Sequence, residues 1–152
     1  MDSFEGSYQH TLDAKGRVSI PAEMRKASGE ILVLSRGLDE CLYLYPLEEW
    51  ALVERELREL RQTSEQARRY VRQMMRTVRR LVVDGHGRVT VPQWHRDFAG
   101  LVTNVLINGA LNHIELWDPK RFEEWEASGE SYEATAETVW KHAKDRANKQ
   151  DE

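Results

Sequence analysis

One ten-residue pattern occurs twice, and that repeat constrains the fold more than any other feature of the chain. Leu12-Asp13-Ala14-Lys15-Gly16-Arg17-Val18-Ser19-Ile20-Pro21 returns, 71 positions later, as Val83-Asp84-Gly85-His86-Gly87-Arg88-Val89-Thr90-Val91-Pro92. The match extends outward. Met24-Arg25 answers His95-Arg96, and Gly29 answers Gly100. After one extra residue in the second copy, Gly37 answers Gly109, Leu44-Tyr45 answers Leu116-Trp117, and Trp50 answers Phe122. A self-similarity of this length marks a duplicated structural unit. The copies cover residues 4–55 and 75–127, with a connecting segment at 56–74 and a tail at 128–152.

Within each copy the motif reads as strand, tight turn, strand. Asp side chains bond nearby backbone amides and initiate turns. Gly16 and Gly87 stand where a short hairpin loop wants a left-handed residue. Arg17 and Arg88 then lead the outgoing strands. Two uses of these arginines are open. Each could brace its own turn by pairing with Asp13 or Asp84. Alternatively, the planar guanidinium could read phosphate oxygens or the O6/N7 edge of guanine. Two copies with the same Arg favour a shared surface.

Around the motif the periodicities give an alternating run of strands and helices. Residues 7–12 and 18–20 are predicted strands, and Pro21 opens a short helix stopped at Gly29. Residues 31–34 form a buried strand, 36–40 a turn and 41–45 the return, with Cys41 as a small core hydrophobe. A helix over 48–60 places Trp50, Val53, Leu57 and Leu60 on one face. Ser64 is the expected N-cap of the next helix, whose apolar stripe is Ala67, Tyr70, Val71, Met74 and Met75. Helical periodicity could continue to Val78, but the repeat sets residues 78–83 against the strand at 7–12, so the helix is ended near Arg76. The second copy repeats the scheme: helix 92–98, strand 104–107, turn 108–110, strand 112–117 and a helix through Phe122 and Trp125. Beyond Gly129 a solvated, partly mobile end is expected, with a helix around Tyr132 to Ala143.

The net charge of −4 does not advertise a nucleic-acid partner. The charges are segregated, however. Residues 65–80 carry six Arg against one Glu, whereas from Arg121 onward nine acids face five bases. The exposed arginines Arg69, Arg72 and Arg76 are therefore candidates for auxiliary DNA or subunit contact. A single cysteine excludes an intramolecular disulfide. The acidic opening Met1-Asp2-Ser3-Phe4-Glu5 lacks the apolar run of a secretory signal, and no stretch approaches the ~20 apolar residues of a membrane span. A cytoplasmic location follows as the expectation. The five histidines, His10, His86, His95, His113 and His142, share no metal-ligand spacing, and no nucleophile or phosphate-loop motif is present. No catalytic residue, metal or cofactor is assigned, and a binding module remains.

The paired Asp-x-x-x-Arg motifs, the sequences Lys15-Gly16-Arg17, Ile20-Pro21 with Arg25, Leu44-Tyr45-Pro46 with Trp50, and Glu115-Leu116-Trp117-Asp118 together resemble the MraZ family of the SpoVT-AbrB superfamily. The resemblance covers nearly all of residues 1–127. It implies a mixed α+β fold in which tandem AbrB-like modules form a swapped-hairpin (double-split) β-barrel with peripheral helices. It also implies homo-oligomeric rings larger than a dimer, association with the nucleoid, and binding to short direct repeats in the promoter of a division and cell-wall gene cluster. The DNA-contacting set would be Arg17 and Arg88, with Asp13, Lys15, Asp84, His86, Arg25 and Arg96 around them. The competing class is an AbrB-like antitoxin or protein-binding adaptor that uses the acidic tail, with Tyr132 and Trp140.

Overall fold

The computed structural model describes residues 2–151. In chain order the elements are β1 (Ser7–Thr11), β2 (Arg17–Ser19), α1 (Ala22–Ser28), β3 (Ile31–Arg36), β4 (Leu42–Pro46), α2 (Leu47–Leu60), α3 (Glu65–Met75), β5 (Arg79–Val82), β6 (Arg88–Thr90), α4 (Gln93–Ala99), β7 (Asn104–Gly109), β8 (Ile114–Trp117), α5 (Pro119–Ser128) and α6 (Tyr132–Gln150). The chain divides into a first unit ending at Pro119 and a second beginning at Lys120. The class is mixed α+β. Among the described residues, no helix is long and apolar enough to cross a membrane.

Six strands of the first unit form one antiparallel sheet in the order β1-β7-β8-β4-β3-β5, and β2 pairs with β6 as a separate ribbon. The order is symmetric about the β8–β4 pair. It shows a reciprocal exchange: β1 of the first copy lies against β7 of the second, and β5 of the second lies against β3 of the first. The ladders leave β1 and β5 as edges of an open sheet. A closed barrel is thus not what these ladders build; the ribbon stays outside the six-stranded pairing.

The apolar run at Leu32-Val33-Leu34 is buried without alternation, because both faces of β3 are covered. Leu32 and Leu34 join the main core, which also takes Val18, Ile20, Leu42 and Leu44 from the first copy and Val89, Val91, Ile107 and Leu116 from the second. Val33 points the other way, into a smaller cluster with Tyr45, Trp50, Leu57 and Met74. The β2–β6 ribbon therefore closes one face of the sheet, while α2 and α3 cover the opposite face at β3 and β4. Each copy supplies part of one core. Cys41 is fully buried, and burial pushes its thiol up to about 12, so it behaves as a core hydrophobe.

Several sequence expectations shift in detail. The apolar stripe of α3 buries Met74 and half-buries Ala67 and Val71, but Tyr70 and Met75 are exposed. The stripe narrows because one helical face meets the Val33 cluster. Leu60, at the end of α2, is likewise exposed. Ser64 caps α3, its Oγ accepting from Ala67 N at 3.0 Å, and the helix stops at Met75. The repeat register is also revised. Leu12 N donates to Thr103 O and Val83 N donates to Glu30 O, both short bonds. Glu30 therefore answers Thr103, and Arg36 answers Gly109: the second copy has two extra residues before β7 and one fewer in the following turn. His113 lies in that turn, just before β8, and not within the strand.

The second unit is helical. Ser131 Oγ accepts from Ala134 N at 3.2 Å and caps α6. The helix expected to Ala143 continues to Gln150. Residues 144–150 contain no Gly or Pro to stop it.

Candidate nucleic-acid interface

The two motif turns are near-identical. In the first, Asp13 Oδ1 accepts from the backbone N–H of Lys15 and of Arg17, both at 2.9 Å, and Gly16 N donates to Asp13 O at 3.0 Å. In the second, Asp84 Oδ1 accepts from His86 N at 2.9 Å and Arg88 N at 3.0 Å, and Gly87 N donates to Asp84 O at 2.9 Å. Gly16 and Gly87 take φ of +79° and +76°, a left-handed backbone that a side chain disfavours. The bracing pairs form as well: Arg17 Nε meets Asp13 Oδ2 at 2.6 Å, and Arg88 Nε meets Asp84 Oδ2 at 3.0 Å. Both carboxyls are held below the usual carboxylate range, first by the backbone N–H of the motif arginine.

Bracing does not use up the arginines. Only Nε of each is engaged, and among the described residues the terminal nitrogens carry no protein hydrogen bond. What faces outward is the end-on fork of two N–H groups that a guanine edge or a phosphate accepts bidentately. The turn thus fixes the orientation of a guanidinium whose working end is free.

The ribbon brings the copies together. Val18 pairs with Val89, Arg17 with Thr90 and Ser19 with Arg88. Val18 and Val89 are buried, so strand alternation puts Arg17, Ser19, Arg88 and Thr90 on the outer face. Arg17 and Arg88 are offset by two residues, about 7 Å along the ribbon. Ser19 and Thr90 are members of this face that the motif comparison passes over; the alternation about Val18 and Val89 is the sequence signal for them.

Two further arginines reach across. Arg25, on α1, donates Nε to Ile20 O at 2.9 Å, and its guanidinium lies over Gly87 of the other copy. Arg96, on α4, donates Nε to Val91 O at 3.0 Å and lies over Gly16. Ile20 N donates to Gly87 O at 2.8 Å, and Val91 N donates to Gly16 O at 2.9 Å. Each turn is therefore clamped by the opposite copy. Arg17, Arg25, Arg88, Arg96 and Lys15 collect here against two carboxylates, Asp13 and Asp84, and His86 is exposed at the second turn. A basic surface thus forms on a chain whose net charge is negative.

Arg69, Arg72 and Arg76 are not part of this surface. Arg69 and Arg72 are exposed on α3 and Arg76 at its C-cap, and α3 packs at β3 on the face of the sheet opposite the ribbon.

The family model described as "MraZ protein, putative antitoxin-like" matches residues 3–73 and again 74–143, once over each copy. The chain belongs to the MraZ family. Among its MraZ-family relatives, "Transcriptional regulator MraZ" of Acetivibrio thermocellus is 40% identical over 136 residues, covering 90% of this chain and 93% of the relative. The protein of the same name from Halothermothrix orenii is 41% identical over 134 residues, covering 88% and 94%. That of Lactobacillus delbrueckii subsp. bulgaricus is 41% identical over 137 residues, covering 90% and 96%.

Proposed function

We propose that this MraZ-family chain is a sequence-specific DNA-binding transcriptional regulator whose reading head is the β2–β6 ribbon. The observation that carries this is the pairing of two identical turn-held arginines, Arg17 and Arg88, on one outward face, each with its terminal N–H fork free. The ribbon is narrow enough to enter a major groove, which admits a two-stranded β-ribbon. Asp13 and Asp84 orient the motif arginines. Lys15, His86, Arg25 and Arg96 stand where flanking phosphates would pass. The naming of its relatives as transcriptional regulators supports the same reading. The expected target is double-stranded DNA carrying short direct repeats, in the promoter of its own division and cell-wall gene cluster. The working form is a homo-oligomeric ring larger than a dimer, located in the cytoplasm at the nucleoid. One Arg–guanine pair gives roughly 1–3 kcal/mol of discrimination, and joining several heads multiplies affinity by making later contacts intramolecular. Arg69 and Arg72, on the opposite face, serve a subunit contact in this scheme.

The test is a binding titration on the upstream region of the gene itself. Arg17→Ala with Arg88→Ala abolishes specific binding, with melting temperature and mass unchanged. Arg17→Lys with Arg88→Lys also loses specificity but retains more salt-sensitive, non-specific binding, because Lys keeps charge without the fork. Wild-type operator affinity in the double Ala variant would reduce the motif to a structural turn. A second reading, an antitoxin or protein-binding adaptor, is favoured by the exposed Tyr132, Val139 and Trp140 of α6. Under it, removing residues 129–152 abolishes partner binding and leaves the DNA titration as it was.

A further inference from the structure

A recess of about 420 Å³ opens on the first unit away from the motif turns, lined by Arg36, Gln73, Arg76, Thr77, Arg79, Trp94 and His95. Its size lies within the range of small-ligand sites, roughly 300–1,000 Å³. Three guanidiniums line it and no carboxylate does. None of the three is in an ion pair among the described residues. Arg36 sits over the Phe98 ring at 4.7 Å. Trp94 stacks parallel to Phe98 at 5.4 Å, yet half of its surface is exposed. His95 is buried and makes one bond, from Nε2 to Thr77 O at 2.6 Å, while its buried Nδ1 has no partner. Unmatched positive charge, an open aromatic face and an orphaned acceptor thus meet in one place.

The duplication provides a control for what the scaffold itself requires. By the register established above, the equivalents of Arg36, Arg76, Thr77, Arg79, Trp94 and His95 in the other copy are Gly109, Glu5, Gly6, Tyr8, Glu23 and Met24. Every lining position differs, and all three arginines are gone. At the equivalent place a Cβ on Gly109 would lie 2.5 Å from Glu5 N, so backbone fills the space. The fold closes the same corner without a single arginine, and the cluster of three is therefore not explained by folding.

We propose that this recess binds a small nucleotide, with phosphates on Arg36, Arg76 and Arg79 and the base on Trp94. Guanidiniums are suited to phosphate oxygens. Every base has a π-face that stacks on an exposed aromatic ring. The neutral His95 ring, with Nε2–H committed to Thr77 O, offers Nδ1 as an acceptor for a base N–H. Trp94 and His95 share α4 with Arg96, whose guanidinium clamps the first motif turn. Occupancy of the recess is thereby connected to the reading head through one short helix, giving the proposed regulator a site for a soluble signal.

The test uses the full chain without DNA, so that its outcome is separate from that of the operator titration. ATP, GTP, adenosine and tripolyphosphate are titrated by calorimetry. ATP or GTP is expected to bind at least tenfold more tightly than adenosine or tripolyphosphate. Arg76→Gln with Arg79→Gln weakens the nucleotide at least tenfold. Trp94→Ala lowers nucleotide affinity to that of tripolyphosphate and leaves tripolyphosphate unchanged. Arg79→Tyr, which installs the side chain the other copy carries, weakens nucleotide binding with an unchanged melting temperature, and so separates loss of the site from loss of the fold. Absence of nucleotide binding at millimolar concentration, equal affinity for tripolyphosphate and nucleotide, or wild-type affinity in the variants would overturn the proposal. So would a lowered DNA salt slope in the arginine variants without nucleotide binding, which would assign the recess to DNA phosphates.

Discussion

Gly87 is the position at which the clamp between the copies can be tested most directly. Its φ is +76°, and an added Cβ would lie 2.5 Å from Arg25 Cζ. Alanine there brings two costs. A left-handed backbone with a Cβ costs about 1–2 kcal/mol. Displacing the Arg25 guanidinium removes its bond to Ile20 O, 2.9 Å long, for about another 1 kcal/mol. The expected loss is about 2–3 kcal/mol. In a folded unit of this size that lowers the melting temperature by roughly 8–12 °C. Gly85, two residues earlier in the same turn, is the control: its φ is not positive and a Cβ would meet nothing within 4 Å. Gly85→Ala should stay within about 0.5 kcal/mol of the parent. Gly16→Ala should resemble Gly87→Ala, since its Cβ would lie 2.9 Å from Arg96 Cζ. Thermal melts of the three variants at one fixed protein concentration decide the matter. If Gly87→Ala and Gly85→Ala melted together, the clamp would be a packing coincidence with no energetic role.

Two further outcomes follow from residues outside the ribbon. Burial lowers the pKa of His95, helped by the nearby Arg79 charge. The unfolded chain then binds the extra proton first, so stability is full above about pH 6.5 and falls as pH drops below it. His95→Met, the residue of the other copy, should remove this step in melting temperature measured between pH 7.5 and 5; an unchanged slope would assign the step elsewhere. Asp13 and Asp84, with lowered values, act only under more acidic conditions. Leu111 holds φ of +69° in an exposed turn. Leu111→Gly removes about 1–2 kcal/mol of backbone strain against roughly 0.5–1 kcal/mol of added chain entropy. A rise of about 2 °C in melting temperature is expected, and a fall would show that the Leu111 side chain contributes more than its exposure suggests.

Local chemistry was readable from the residues wherever neighbours in sequence decide it. The Asp turns, the left-handed glycines, the Ser64 cap and the end of α3 near Arg76 all depend on groups a few positions apart. Only the repeat ends α3 near Arg76, since periodicity alone runs on to Val78. Strand partnership is a different matter. Nothing in Ser7–Thr11 states that its partner is β7 and not a strand of its own copy; that choice is made by the shared core. The exchange came from the family resemblance, and so did the barrel closure that the ladders do not show. The pairing of Gly37 with Gly109 shifts by one residue for a different reason: a glycine marks the turn in both copies, while the hydrogen bonds match Arg36 with Gly109. Likewise Tyr70 and Met75 satisfied a helical stripe but face solvent, since a narrow cluster around Val33 takes only part of it. The arginine recess escaped sequence reading for a simple reason: Arg36, Arg76 and Trp94 come from three segments that only the exchange brings together.

The exchange of edge strands also sets the order of events during synthesis. β1 emerges long before its ladder partners, which lie at Asn104–Asn108. The main core needs Val105, Ile107, Ile114 and Leu116 to close over Val18 and Leu34. Between 93 and 101 residues separate β1 from its partners, and all of them must leave the ribosome before β1 can pair within its own molecule. Pairing across such sequence separations makes folding slow. During that interval β1 is an unpaired strand, and exchange of β1 between two nascent chains side by side is an open route to a swapped dimer.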